Sequence, residues 1–309
     1  LNLHNICLLD GKPVLFDCLE FDENLANVDE LYDLALLLID LEQHGSMREA
    51  NVVLNHYLEL TGEASGLACL PLFLAQRAAG CAKVASDTEV LIEAPERKAA
   101  LASKAAGYLQ AALTYLTPGT PVLICVGGPS GSGKTRLVRS LVPTLGAPPG
   151  AVHLRSDQIR KALHRRTENQ RLAPKYYVPA VSERVYETML ERAEEIFRAD
   201  RSVMLDAVLN RPADRATAIT LAETVGVSFQ GLWLDAPYTL LSARVAARQD
   251  DASDATPEVI RQQLQQDTGI IAWPRIDAAQ EEDQMTAAAP QALITSRLTE
   301  INLTDDQSA

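Results

Sequence analysis

Gly128-Pro129-Ser130-Gly131-Ser132-Gly133-Lys134-Thr135 satisfies G-x-x-x-x-G-K-[ST] without a substitution, and it stands between a strand pattern and a helix pattern. The preceding run Pro121-Val122-Leu123-Ile124-Cys125-Val126 is short, continuous and apolar, as expected of a parallel strand buried on both faces. After the loop, Arg136 to Val142 puts Leu137, Leu141 and the neighbouring valines on one helical face. Glycines that join a strand to a helix N-terminus make a phosphate cradle. Gly128, Gly131 and Gly133 let backbone N–H groups approach phosphate oxygens, and the helix N-terminus adds partial positive charge. Lys134 then reaches the β- and γ-phosphates, and Thr135 offers its hydroxyl to Mg²⁺. Complete and in this context, the motif reads as a nucleotide site rather than a turn with a surface lysine.

Downstream, Pro143 and Gly146-Ala147-Pro148-Pro149-Gly150 end the first helix, and Ala151 to Leu154 reads as a second buried strand. Arg155-Ser156-Asp157-Gln158-Ile159-Arg160 follows, in which Ser156 or Asp157 is placed to cap a helix. Ligands bind an open α/β sheet beyond the carboxyl ends of its strands, so Asp157 and Arg160 can face a substrate beside the cradle. Lys161, Arg165, Arg166, Arg171 and Lys175 surround Pro174 and Tyr176-Tyr177 with few carboxylates, a surface either simply solvated or able to dock an anionic acceptor. Val181 to Ala199 reads as a long amphipathic helix and Ser202 to Asp206 as a strand. Asp206 at that strand's end either orients Mg²⁺ through water or touches the acceptor, and the pattern does not separate the two.

Pro212 to Val225 is expected to be a helix and Val227 to Asp235 a strand, which extends a β-α alternation with right-handed crossovers. The helix from Tyr238 carries Arg244 and Arg248, four residues apart and so on one face. Asp250-Asp251-Ala252-Ser253-Asp254 is a polar loop, and Thr256-Pro257-Glu258 opens another helix with an N-cap and a proline at its first position. This is the shape of a lid. Its arginines can neutralise charge on a transferred phosphoryl group or can be ordinary salt-bridge partners. From Glu281 the chain is polar and alanine-rich, and a weakly ordered tail is expected over residues 281–309.

Upstream, Asn5 to Leu9 and Val14 to Asp17 read as two short strands around a turn at Asp10-Gly11. Asp17, Glu20, Asp22 and Glu23 then gather around Phe21, either as a solvated loop or as a cation site. Helical spacing recurs in Leu31, Leu34, Ala35, Leu38 and Leu41, and again in Val53, Leu54, Tyr57, Leu58 and Leu60. Further helices are expected over Leu70 to Ala85, with Pro71 near the start, and over Glu96 to Leu116. His44 and His56 have no metal-ligand spacing and read as surface or packing residues. Thr117-Pro118-Gly119-Thr120-Pro121 marks a linker.

Two resemblances rest on these residues. The cradle, Arg155 to Arg160, Leu205-Asp206-Ala207 and the arginine-bearing lid resemble AAA-labelled P-loop kinases related to polynucleotide kinase, gluconate kinase and zeta toxins. That resemblance implies Asp157 as general base for an acceptor hydroxyl, Arg160 as acceptor-positioning, and Arg244 and Arg248 as lid arginines. Leu1-Asn2-Leu3-His4-Asn5-Ile6, Phe16-Asp17-Cys18-Leu19-Glu20-Phe21 and Leu31-Tyr32-Asp33-Leu34-Ala35 resemble the C-terminal lobe of an aminoglycoside phosphotransferase-like kinase. It implies Asn5 and Asp17 as metal ligands, with the catalytic aspartate falling just before Leu1, so residues 1–117 are expected to be inactive in this chain. Together the resemblances imply a bacterial fusion: a mainly helical partial lobe at 1–117, an α/β P-loop kinase with a parallel sheet flanked by helices at 118–280, and the tail.

With 309 residues, 47% of them hydrophobic, the chain can bury two cores. Of its net charge of −13, most lies in residues 1–117, with 7 basic and 17 acidic residues against 21 and 24 in the remainder. That balance counts against broad attraction to nucleic acid or anionic membrane. Cys7, Cys18, Cys69, Cys81 and Cys125 form no C-x-x-C pair and are odd in number, so reduced, buried thiols are expected. The longest apolar run, Leu34 to Ile39, is too short to span a bilayer, and no signal-peptide pattern is present, which makes a cytoplasmic location the default. A start at Leu1 without methionine reads as a fragment or an unusual start. The function expected is transfer of the γ-phosphoryl group of ATP, with Mg²⁺, to a hydroxyl of a small molecule. The alternatives are a nucleotide-binding regulatory module with slow hydrolysis and a nucleic-acid end kinase, the latter disfavoured by the acidity. The pattern is silent on oligomeric state.

Overall fold

The chain divides into two compact units, Leu1–Gly119 with Ala147–Gly150, and Thr120–Gly146 with the chain from Ala151 onward. The structure is a computed structural model that describes residues 1–17, 27–247, 252–281 and 283–293. Glu20, Asp22, Glu23, Arg248, Asp250, Asp251 and the tail beyond 293 therefore lie outside the described residues.

In the first unit, β1 (Ile6–Leu9) and β2 (Lys12–Leu15) pair antiparallel, with Ile6 opposite Leu15. The turn falls at Asp10-Gly11, both at positive φ (51° and 73°), which matches the twist of a two-residue hairpin. Among the described residues four α-helices follow: α1 (Glu30–Gln43), α2 (Met47–Thr61), α3 (Leu70–Leu91) and α4 (Pro95–Tyr115). The Asp29 side chain caps α1 by accepting from Leu31 N at 2.8 Å, and Gly62 in the left-handed region ends α2. Leu31, Ala35, Leu38, Leu54, Leu70 and Leu74 are buried. Leu60 is exposed, because two residues past Leu58 is the opposite side of a helix. The expectation of buried thiols fails for Cys7 and Cys69, which are free and exposed, whereas Cys125 is buried.

The second unit is an α/β fold on a five-stranded parallel sheet. Its elements are β3 (Val122–Gly127), α5 (Lys134–Leu141), β4 (Val152–Arg155), α6 (Ser156–Leu163), α7 (Pro179–Arg198), β5 (Val203–Asp206), α8 (Pro212–Val225), β6 (Ser228–Asp235), α9 (Tyr238–Ala246), α10 (Pro257–Gln265) and β7 (Arg275–Asp277). The strand order is β4-β5-β3-β6-β7, and every pairing is parallel. β3 lies at the centre, and Leu123 to Gly127 are all buried, which is why its sequence is apolar without alternation. The register sets Val126 opposite Asp206 and Arg155 opposite Asp206, so the strand ends that carry the polar residues lie side by side.

The weakly ordered tail expected from Glu281 is corrected over residues 283–293, which form a helix, α11. Met285, Ala289 and Leu293, at four-residue spacing, are 3%, 0% and 7% exposed and join the core of Val126, Leu137, Val138, Met204 and Leu234. Alanine-rich polar composition concealed a narrow apolar stripe. Met285→Ala is expected to reduce the unfolding free energy by about 2–5 kcal/mol in a urea titration, as for other buried methionines. A dispensable tail would leave the midpoint unchanged.

Candidate functional site

The cradle follows β3 directly, and its glycines are required by close backbone approach. Gly128 has φ 131°, and a Cβ there would lie 2.4 Å from Leu234 O; Gly131 has φ 88°, and a Cβ would lie 2.8 Å from Leu241 O. Gly133 is the N-cap of α5 with no side-chain cap, so the first N–H groups of the helix remain available to an anion. Lys134 folds back over the loop, its Nζ donating to Gly128 O at 2.8 Å and Pro129 O at 2.9 Å. Ser130 is gripped from α10: its N–H donates to Gln263 Oε1 at 2.8 Å, and Gln263 Nε2 donates to Ser130 Oγ at 3.1 Å. Ser132 is fully buried.

Thr135 lies in the first turn of α5 and donates from Oγ1 to Asp206 Oδ2 at 2.6 Å. His153 Nε2 is 3.3 Å from the same carboxylate oxygen, and Arg155 Nε is 3.8 Å from it. Burial pushes the Asp206 pKa up, but the hydrogen bond to His153 and the positive charges of Lys134 and Arg155 outweigh it and hold the carboxyl below its usual range. Burial lowers the His153 pKa against the pull of Asp206, with Arg155 and Arg139 adding to the decrease. Those two directions compete, since a neutral imidazole lends Asp206 no charge. The ionised Asp206 is held by its hydrogen bonds with Thr135 and His153 together with the nearby charges of Lys134 and Arg155. The pair of Thr135 hydroxyl and Asp206 carboxylate offers hard oxygen donors at the mouth of the cradle, a donor set suited to Mg²⁺.

Asp157 sits two residues beyond the end of β4, in the first turn of α6. The expected cap is corrected: Arg155 is the N-cap residue, with no side-chain cap bond, and Ser156 and Asp157 are already helical. Burial raises the Asp157 pKa and the nearby Asp206 charge adds to the rise, while Arg155, a hydrogen bond from the Ser253 side chain and Arg160 oppose it. Arg160 is buried, donating to Tyr176 O at 2.9 Å and Ser182 Oγ at 3.4 Å, with its guanidinium carbon 4.8 Å from the Tyr177 ring centre. Its Nε is buried without a partner. Lys161, grouped by sequence with a basic surface, is instead 2% exposed, bonded to Glu168 O and 3.4 Å from Asp254. The Asp254 carboxylate also accepts from Leu172 N at 2.9 Å and Tyr177 Oη at 2.8 Å, so the polar loop is tied to the segment after α6. Arg244 Nη1 donates to Ala278 O at 2.8 Å, and Arg248 lies outside the described residues. The Thr256 cap of α10 forms as expected, its Oγ1 accepting from Val259 N at 3.4 Å.

A cradle, an ionised aspartate on its threonine and a second carboxyl at the neighbouring strand end make up the geometry of this unit. Residues 123–268 match the family model of the AAA domain. The AAA match contains the cradle, Asp157, Arg160, Asp206, Arg244 and Arg248. Curated relatives are an uncharacterized protein of Mycobacterium tuberculosis and one of Mycobacterium bovis, each 29% identical over 293 residues, covering 92% of this chain and 56% of the relative. The chain thus spans about half the length of the curated relatives it matches. Similar solved structures include a gluconokinase from Sinorhizobium meliloti (19% identity, 61% of this chain and 97% of that one, TM-score 0.40). Another is the Mycobacterium tuberculosis APS kinase CysC with AMPPNP and APS (16% identity, 57% and 99% coverage, TM-score 0.41).

Sequence reading missed Gln263, His153 and Asp254 as neighbours of the site, since none carries a local motif. The raised Asp157 pKa has a consequence for stability. Above its unfolded value of about 3.9 the native state holds the extra proton, so this group's contribution falls as pH rises toward the folded pKa. Asp157→Asn removes the fall. Thermal melts are expected to place the variant above the parent at neutral pH, with the gap closing as pH drops toward about 4; a gap independent of pH contradicts the burial account.

Proposed function

We propose that the second unit is an ATP-dependent kinase domain that transfers the γ-phosphoryl group to a hydroxyl of a small molecule. The observation that carries this reading is the Thr135–Asp206 hydrogen bond, which joins the phosphate cradle to the end of β5, next to the β4 end that Asp157 follows by two residues. A cradle alone serves switches and motors as well as kinases. In this reading the loop N–H groups and Lys134 hold the β- and γ-phosphates and neutralise their charge. Thr135 and Asp206 would hold Mg²⁺, which when bound offsets phosphate charge. Asp157 orients the acceptor hydroxyl and takes its proton, a role favoured by a pKa raised toward neutrality. Arg160 positions the acceptor, and Arg244 and Arg248 stabilise charge on the transferred group. Exposed Arg165, Arg166, Arg171 and Lys175 suit an anionic acceptor.

The first unit is read as similar to the C-terminal lobe of an aminoglycoside phosphotransferase-like kinase. Asn5 Nδ2 donates to Asp17 Oδ2 at 3.3 Å, so the two residues that this likeness implies as metal ligands adjoin. Among the described residues, no three His, Cys, Asp or Glu side chains gather to hold a metal. No described helix is long and apolar enough to cross a membrane.

The test is a screen of hydroxyl acceptors with labelled ATP on the parent chain, Lys134→Ala and Asp157→Asn. A turned-over acceptor is expected, with Asp157→Asn about 10²–10⁴-fold slower yet still binding ATP, and Lys134→Ala impaired in both. Equal turnover by all three would refute the assignment.

A further inference from the structure

The first unit contains a cleft of about 560 Å³ between α1, α3 and α4, within the size range of small-molecule sites. Arg77 and Lys104 are the charged residues that line it, in a unit whose sequence is strongly acidic. Neither makes an ion pair among the described residues. Each cation is held by a ring instead: the Arg77 guanidinium carbon lies 4.8 Å from the Tyr32 ring centre, and Lys104 Nζ lies 5.8 Å from that of Tyr108. A π face attracts a cation without engaging its N–H donors in the way a carboxylate does. Arg77 Nε is in fact sealed from solvent with no hydrogen-bond partner.

Cys81, half-buried, lines the same cleft as Arg77 and Lys104. Gly80, within α3 and lining the cleft, has nothing within 4 Å of where a Cβ would stand. A glycine inside a helix costs about 0.5–1 kcal/mol relative to alanine, and here no packed neighbour requires it.

We propose that this cleft binds a small organic anion, its acidic head on Arg77 and Lys104 and its apolar or aromatic body against the tyrosine rings. Charge is supplied by two cations that make no ion pair among the described residues, and lining apolar side chains from all three helices accept the body.

The probe is 1-anilinonaphthalene-8-sulfonate, followed by fluorescence, beside its uncharged counterpart N-phenyl-1-naphthylamine. One sulfonate probe per chain is expected to bind the cleft, and Arg77→Met with Lys104→Met to weaken it about tenfold or more while the uncharged probe binds as before. Gly80→Leu should exclude both. Because a variant can lose its fold, site-resolved alkylation of Cys81 in the parent chain supplies a second reading, with bound sulfonate probe slowing it. Unchanged affinity in the methionine variant, no binding to the folded parent, or unprotected Cys81 at saturation would each overturn the proposal.

Discussion

A 2.6 Å hydrogen bond from Thr135 to Asp206 joins the helix that follows β3 to the end of β5, and the second unit is arranged so that this bond can form. Parallel pairing of β3 with β5, in register from Leu123 opposite Val203 to Val126 opposite Asp206, brings the aspartate to the same sheet edge as the loop. Gly128 and Gly131 let the chain pass Leu234 and Leu241 where a side chain would clash, and that path delivers Lys134 and Thr135 to the helix start. A one-residue slip of β5 would turn Asp206 to the other face of the sheet. The apolar core beneath, including the stripe from α11, holds this polar edge fixed.

Around that bond the charges are graded rather than uniform. Asp206 is kept ionised by its hydrogen bond with His153 and by Lys134 and Arg155, while Asp157, in the helical turn after the adjacent strand, is pushed toward its neutral form by burial and by Asp206 itself. In the proposed reading these opposed shifts suit Asp206 to hold a cation and Asp157 to exchange a proton. The loop is tied by Lys134, whose Nζ donates to two loop carbonyls, and by Gln263, which accepts from the Ser130 N–H.

Local signals made much of this legible in the sequence. The cradle needs only eight consecutive residues, and Asp157 and Asp206 could be assigned to strand ends because β-α alternation fixes which edge those ends share. The Asp10-Gly11 turn and the Pro212–Val225 helix were legible for the same reason, each being written in adjacent residues. What escaped depends on distance along the chain or on composition that hides a face. Gln263 meets Ser130 across 133 residues, and Leu172 meets Asp254 across 82. Lys161 looked like surface because its partners, Glu168 O and Asp254, are supplied by folding. The α11 stripe is only three residues wide among alanines and polar groups, so periodicity alone did not separate it from a tail.

The central claim is that Thr135 and Asp206 form the cation-holding half of a nucleotide site. Calorimetric titration of a non-hydrolysable ATP analogue, with Mg²⁺ and with chelator, tests it most directly in the parent chain and in Asp206→Asn. The account predicts that Mg²⁺ tightens binding by about tenfold or more in the parent, and that Asp206→Asn loses this gain while retaining its affinity in chelator. An Asp206→Asn variant with the full Mg²⁺ gain would contradict it.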